Sequence, residues 1–467
     1  MSIHTEQAAK KDILWFAARL CLAALVFFMC TYIVRIGTRA YVKFSGKTNA
    51  FTQWVFRDDP LMALDGTDEG NVHVIEHTDW QALYPFTAES HTAGRNMVPQ
   101  SAVQRAEQCI RSLEDAFTAW ITENLLYRFF FIEWANRYDA ALGWNLATGD
   151  DNGSDNQAVF LTNGYLTVFQ KKVDASVCAD SLLSFNDFLK TQQTPLLYIQ
   201  APYKICRFDK AGAKGRDFSN ENADEFVRLV RAGGVPVLDM REELHRAGRS
   251  HYASFFITDH HWKPETGLWA AGVIARWLNA HVPNAVDEQA LLPERFNRTV
   301  YPHSFLGSHG RKVTLARTEP EDFTLITPKA DTAFECEIYT AEGKIVQGTG
   351  SFNLLLNMTP LASNDYYNDS VYATYMYGDT VAEIRNLYST DNTKLLLIGD
   401  SFTDVAEPFL ALGVSELDCI DLRVFTGSLQ SYITQNGPYD AVLALYNPNT
   451  FGQTIDWDSH TDLYDFR

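Results

Sequence analysis

Uninterrupted apolar runs, rather than apolar/polar alternation, mark the C-terminal part of this chain. Leu395, Leu396, Leu397 and Ile398 follow one another without a polar residue and stop at Gly399, Asp400 and Ser401. A strand apolar on both sides is one buried on both faces, as in a parallel sheet covered by helices. Residues 417–425 and 439–446 also read as strands, and they stop before Gly427 and at Asn447. Further strands are expected over 195–200 and 236–239, with helices near 180–191 and 223–232. Pro264 opens another helix, with Leu268, Ala271, Ile274 and Leu278 on its apolar face. Residues 405–412 read as a short helix entered through a tight strand-to-helix turn that holds Ser401, which would place that serine near the helix's positive end. Residues 158–169 read as a hairpin about Asn163 and Gly164. Ile110, Leu113, Phe117, Trp120 and Ile121 recur at helical spacing within 106–142. Strand and helix in alternation predict an α/β fold, a parallel sheet flanked by crossover helices.

Two stretches depart from that alternation. Residues 283–390 are polar, aromatic and hairpin-like, and read as a β-rich insertion. Residues 13–36 are almost wholly apolar, with Arg19 and Arg35 the charged exceptions, and are close to the roughly 20 residues that cross a bilayer. With no small-residue cleavage site after it, this run reads as an uncleaved transmembrane anchor. The expected organisation is a tail over 1–12, the anchor over 13–36, a stem over 37–104, and one catalytic domain over 105–467 that carries the insertion at about 283–390.

Charge changes the picture in one respect. Residues 1–50 hold seven Lys/Arg against two acids, about +5, which leaves about −24 of the total −19 to the remainder. A nucleic-acid partner, which needs a basic face, is therefore not expected. Positive residues flank both ends of the apolar run, so they do not orient it. The seven cysteines include no CxxC, which argues against a zinc or redox motif. The acidic turn at 149–156 does not follow the EF-hand ligand order and reads as a solvated loop. No metal and no cofactor is called for.

Candidate chemistry centres on Ser401. A serine just past the carboxyl end of a buried strand lies where α/β proteins build their sites. It needs a base and a group to orient that base, and Asp259 with His261, in the loop before the Pro264 helix, supplies both types. A turn with an N-terminal acid and a surface histidine is the equal alternative for that pair taken alone. His260 is a competing base if the loop's register differs. The backbone N–H groups of Ser401 and Gly427 and the Asn447 amide suit an oxyanion hole. The loop at 305–312 reads as a turn that could line a cleft. Tyr366, Tyr367, Tyr372, Tyr375 and Tyr377 offer faces for sugar stacking or for core packing.

Gly399-Asp400-Ser401 with Gly427 and Asn447 downstream resembles the SGNH hydrolase superfamily. The acid–base pair differs, being an Asp-x-His that precedes the serine. Asp259-His260-His261-Trp262 followed by Gly399-Asp400-Ser401-Phe402 is similar to the DHHW proteins and the alginate O-acetyltransferase-like (AlgX/AlgJ-like) branch, which have this permuted order. Supporting matches are residues 159–166, Ala201-Pro202-Tyr203-Lys204 and Phe305-Leu306-Gly307-Ser308.

The resemblance covers roughly 105–450. It implies an SGNH-like fold and a triad of Ser401, His261 and Asp259, with Ser401, Gly427 and Asn447 as oxyanion donors. It also implies Trp262 as a structural or substrate-side neighbour, Arg423 as a substrate or oxyanion contact, and His260 as a further substrate-side residue. The activity it implies is O-acetyl transfer to a polysaccharide, with the acyl donor supplied by a membrane-bound O-acyltransferase and the domain held outside the cytoplasmic membrane. The same residues would equally serve an esterase, and an idle glycan-binding or scaffold protein of an envelope polysaccharide system is the reading from another class.

Overall fold

The computed structural model describes Arg137 and residues 158–467, apart from 210–216, 283–285, 342, 364, 368 and 453–462. The expected anchor, stem and acidic turn, and all but Arg137 of the expected helix at 106–142, lie outside the described residues. No helix among the described residues is long and apolar enough to cross a membrane.

In chain order the strands are β1 (Val159–Phe160), β2 (Leu166–Thr167), β3 (Leu196–Gln200), β4 (Val237–Asp239), β5 (Phe296–Phe305), β6 (Glu321–Pro328), β7 (Phe334–Thr340), β8 (Gly343–Gly350), β9 (Val381–Asn386), β10 (Lys394–Gly399), β11 (Glu416–Ile420) and β12 (Ala441–Tyr446). The helices that matter below are α1 (Ser176–Thr191), α2 (Ser219–Ala232), α3 (Met240–Arg246), α4 (Pro264–His281), α5 (Ser308–Val313), α6 (Glu407–Leu412) and α7 (Leu429–Asn436).

Eight strands form the central sheet in the order β4-β3-β12-β10-β11-β9-β7-β8. The first five run parallel, and β9, β7 and β8 continue the sheet antiparallel. The sheet is therefore mixed where an all-parallel one was expected. The stretch at 283–390 is only partly an insertion, because β7, β8 and β9 are strands of the central sheet and only β5 and β6 form a separate hairpin. Hairpin connections make antiparallel strands the natural way to extend the β11 edge without a crossover helix.

The apolar run of β10 divides between two cores. Leu395 and Leu397 pack on one face with α4 and α6, through Leu268, Ile274 and Phe409. Leu396 and Ile398 pack on the other with α1, α2 and α7, through Leu182, Phe226 and Ile433. All four β10 residues are fully buried, and each such side chain contributes roughly 1.5–3 kcal/mol. This two-sided burial is why the strand shows no alternation.

Two expected elements end elsewhere. Strand β11 stops at Ile420, not near 425, because Asp421 turns the chain and accepts the backbone N–H of Arg423. Helix α6 starts only at Glu407, so Ser401 lies in turns before it and not at its positive end. The hairpin at 158–169 forms with Gly164 at φ +85°, a conformation glycine adopts freely, though its loop spans 161–165 and not two residues. No disulfide joins Cys178, Cys206, Cys336 or Cys419, all buried.

Candidate active site

Ser401 follows β10 directly, and β10 lies between β11, which comes next in sequence, and β12, which returns to its other side. Ligand crevices of α/β sheets open at such a reversal, beyond the carboxyl ends of the strands. Gly399 must be glycine there, since a Cβ would lie 2.4 Å from the Leu445 carbonyl oxygen of the neighbouring strand. Asp400 then fixes the turn. Its Oδ1 accepts the Phe402 N–H at 2.9 Å, and its Oδ2 accepts both the backbone N–H and the side-chain amide of Asn447 at 2.8 Å. Burial pushes the Asp400 carboxyl up to about 6, against the lowering effect of the Asn447 and Phe402 N–H groups.

The candidate base comes from 140 residues upstream. Residues 255–263 form the loop that leads into α4, pinned by an isolated bridge between Phe255 and Trp262. Asp259 Oδ1 accepts the backbone N–H of His261 at 2.9 Å and pairs with its Nδ1 at 2.6 Å. Because a carboxylate only accepts, Nδ1 carries the ring proton and Nε2 is left as an acceptor. Ser401 Oγ lies 2.6 Å from that Nε2 and donates to it. Burial alone would raise the Asp259 carboxyl, but the imidazoles of His261 and His260 outweigh it and hold the group well below the usual carboxylate range. Asp259, His261 and Ser401 thus form one hydrogen-bonded line.

His260 does not reach the serine. Its Nδ1 pairs with Ser308 Oγ at 3.1 Å, and burial followed by repulsion from His261 keeps the imidazole well below its ordinary pKa. Trp262 is fully buried and gives its indole N–H to the Phe402 carbonyl at 3.0 Å, so it joins the 255–263 loop to the serine turn. Arg423 pairs with Asp421 and, at 2.7 Å, with Asp379, so two carboxylates already engage the guanidinium expected to meet substrate. Asn447 sits beside the serine turn through Asp400. Gly427 lies in the exposed loop between β11 and α7, at φ +142°.

Several contributors carry no signal that periodicity or spacing reveals. Tyr372 stacks on His261 with ring centroids 3.9 Å apart and planes 13° apart, and it is buried like Tyr375. The Ser308 N–H, at the start of α5, donates to Asp259 Oδ2 at 2.6 Å. Gly307 permits that approach, because a Cβ there would lie 2.2 Å from the Asp259 Cβ. The glycine at 307 was visible as part of a loop, but not its target. Asp259, His260 and His261 each place a donor atom within 4.8 Å of the others, close enough to suggest a metal site. Those atoms are committed to one another, to Ser308 and to Ser401, which is the arrangement of a proton relay.

Comparison with known proteins bears on the fold. Residues 159–333 match the family described as SGNH hydrolase-like domain, acetyltransferase AlgX; the match includes Asp259 and His261 and ends before Ser401. No curated protein matches the chain. Among solved structures, Bacillus cereus PatB1 is similar over 67% of this chain and 100% of its own, at 20% identity and TM-score 0.53. PatB1 with a sulfonyl adduct is similar over 65% and 98%, at 18% identity and TM-score 0.52. A DHHW family protein from Eubacterium siraeum is similar over 64% and 96%, at 18% identity and TM-score 0.50. Residues 159–333 are thus similar to the SGNH hydrolase-like domain described for acetyltransferase AlgX, and the chain shares the fold of the DHHW family protein and PatB1.

Proposed function

We propose that the protein is a membrane-anchored, extracytoplasmic serine acyltransferase that O-acetylates an exopolysaccharide or cell-wall glycan through an acyl-Ser401 intermediate. The observation that carries this reading is the Asp259–His261–Ser401 line, with both side-chain hydrogen bonds at 2.6 Å. The family description names an acetyltransferase, and the apolar run at 13–36 supports the anchor.

Ser401 Oγ attacks the acyl carbonyl carbon while its proton passes to His261 Nε2, and the C=O electron pair moves to oxygen. Asp259 holds the Nδ1 proton and stabilises the imidazolium so formed. The backbone N–H groups of Ser401 and Gly427 and the Asn447 amide donate to the oxyanion. Collapse expels the leaving group, which takes the proton from His261. A glycan hydroxyl then gives its proton to His261, attacks the acyl-serine, and collapse of this second intermediate returns the proton to Ser401. Water in place of the glycan would make the same site an esterase. The acyl group is proposed to come from a membrane-bound O-acyltransferase.

Mass spectrometry of the protein incubated with an activated acetyl ester tests the covalent step. One acetyl group on Ser401, absent in Ser401→Ala, is the expected result, and transfer to added oligosaccharide rather than to water separates transferase from esterase. A folded protein that takes no acetyl from several donors across pH would favour a binding or scaffold role.

A further inference from the structure

Residues 256–258, immediately before Asp259, belong to no strand or helix, yet each backbone polar group from the Phe256 carbonyl to the Thr258 carbonyl has a partner. The partners come from four separate places. Leu166 of β2 donates to the Ile257 carbonyl at 2.9 Å, and Gly310 of α5 donates to the Thr258 carbonyl at 2.7 Å. Glu321, the first residue of β6, accepts the Ile257 and Thr258 N–H groups, each at 2.6 Å, on its two carboxylate oxygens. Lys204, fully buried beyond β3, donates to the Phe256 carbonyl and, at 3.4 Å, to that of Ile257.

Glu321 reaches Asp259 by a second route. It accepts the Thr258 hydroxyl proton at 2.7 Å, and that hydroxyl accepts the Gly307 N–H at 3.0 Å. Gly307 and Ser308 form the turn whose N–H holds Asp259 Oδ2. One carboxylate therefore fixes both the backbone that carries Asp259 and the donor that sets its carboxylate plane. Lys204 faces the same segment across the backbone, its ammonium between the Tyr165 and Phe255 rings, at 5.3 and 5.9 Å. Burial brings its pKa down to about 7, with Glu321 and Asp259 opposing. A lysine buried at that desolvation cost, with its head on two main-chain carbonyls, is placed to hold that backbone.

We propose that Glu321 and Lys204 are positioning residues for the acyl-transfer reaction, a two-sided clamp on residues 256–258 that acts through Asp259 on the imidazole of His261. This rests on the triad reading above, so its test includes a signal that does not require Ser401 to react.

That signal is the proton on His261 Nδ1 shared with Asp259, read by NMR in the full-length chain purified in detergent with 15N-labelled histidine. It is expected far downfield in the wild type and in Ser401→Ala, and shifted upfield or broadened in Glu321→Gln. Thr258→Val, which removes only the hydroxyl link to Gly307, is expected to act in the same direction and serves if Glu321→Gln does not fold. The paired readout is the rate at which a sulfonyl fluoride modifies Ser401. It should fall on the order of 10- to 100-fold in Glu321→Gln, less in Lys204→Met, with part of the loss recovered in Lys204→Arg. In an Asp259→Asn background the Glu321→Gln effect should vanish, because a group acting through Asp259 has nothing left to position. An unchanged imidazole proton together with losses that multiply in the double variant would overturn the clamp. A wild type that takes no sulfonyl label would sink the nucleophile reading, and the imidazole proton would still decide the clamp.

Discussion

The two halves of the site are built by opposite means. Ser401 is placed by the sheet: β10 is paired in register on both sides, Gly399 abuts Leu445, and Asp400 ties the turn to Asn447 at the end of the adjacent strand. Asp259 and His261 lie in a loop that is tied through its own Trp262 and Thr258, and by Ser308, Glu321 and Lys204 from distant parts of the chain. A nucleophile at a strand end inherits the rigidity of the ladder. A base in a loop acquires rigidity only from side chains that reach its main chain.

Removing the point where the halves meet should cost most. Ser401→Ala is expected to abolish acetyl uptake in a single-turnover assay while leaving the melting temperature close to wild type. Asp259→Asn keeps the shape but offers the wrong hydrogen-bonding pattern to Nδ1, and should lower the rate on the order of 10³- to 10⁴-fold. The comparison is sharpened by Gly307→Ala, whose Cβ would collide with Asp259 and leave the β10 turn untouched. It should slow acylation roughly 100-fold.

The halves should also answer pH with opposite signs. The Asp400 carboxyl is raised on folding, so its contribution to stability is complete below the unfolded value near 4 and is lost as pH rises through about 6. The Asp259 carboxyl is lowered, so its contribution is complete above that unfolded value and is lost as pH falls through its folded pKa. Urea titrations across pH should show Asp400→Asn flattening the slope between pH 4 and 6, by at most about 3 kcal/mol. Asp259→Asn should flatten the limb below pH 4. The smallest effect is expected from Trp262→Phe, which loses one buried hydrogen bond between the halves, about 1–2 kcal/mol by thermal denaturation.

How much of this could be read beforehand follows the same division. The β10, β12, β3 and α4 segments were legible because two-sided burial and a proline at a helix start leave local marks at Leu395 to Ile398, Leu443 and Pro264. The place where β11 ends was not, because Leu422, Val424 and Phe425 carry apolar residues on past Asp421, where the chain turns. The antiparallel edge was misread as an insertion, since nothing local in 334–350 says which strand it will join. Asp259, His261 and Ser401 stood out as residue types with a shared chemistry, but that His261 and not His260 hydrogen-bonds Ser401, at 2.6 Å, is visible only in the tertiary structure.

By itself the sequence determined that a serine would end a buried strand, that an Asp-x-His pair would precede a helix, and that both would stand on an α/β sheet. These follow from apolar runs and helix-start chemistry, which act over a few residues. Tertiary structure alone decided that Trp262 would join its loop to the serine turn, that Arg423 would be held by Asp421 and Asp379, and that Glu321 and Gly307 would meet residues about fifty or more positions away in the chain. Such contacts arise only when the sheet closes, because they depend on distances that sequence spacing does not encode.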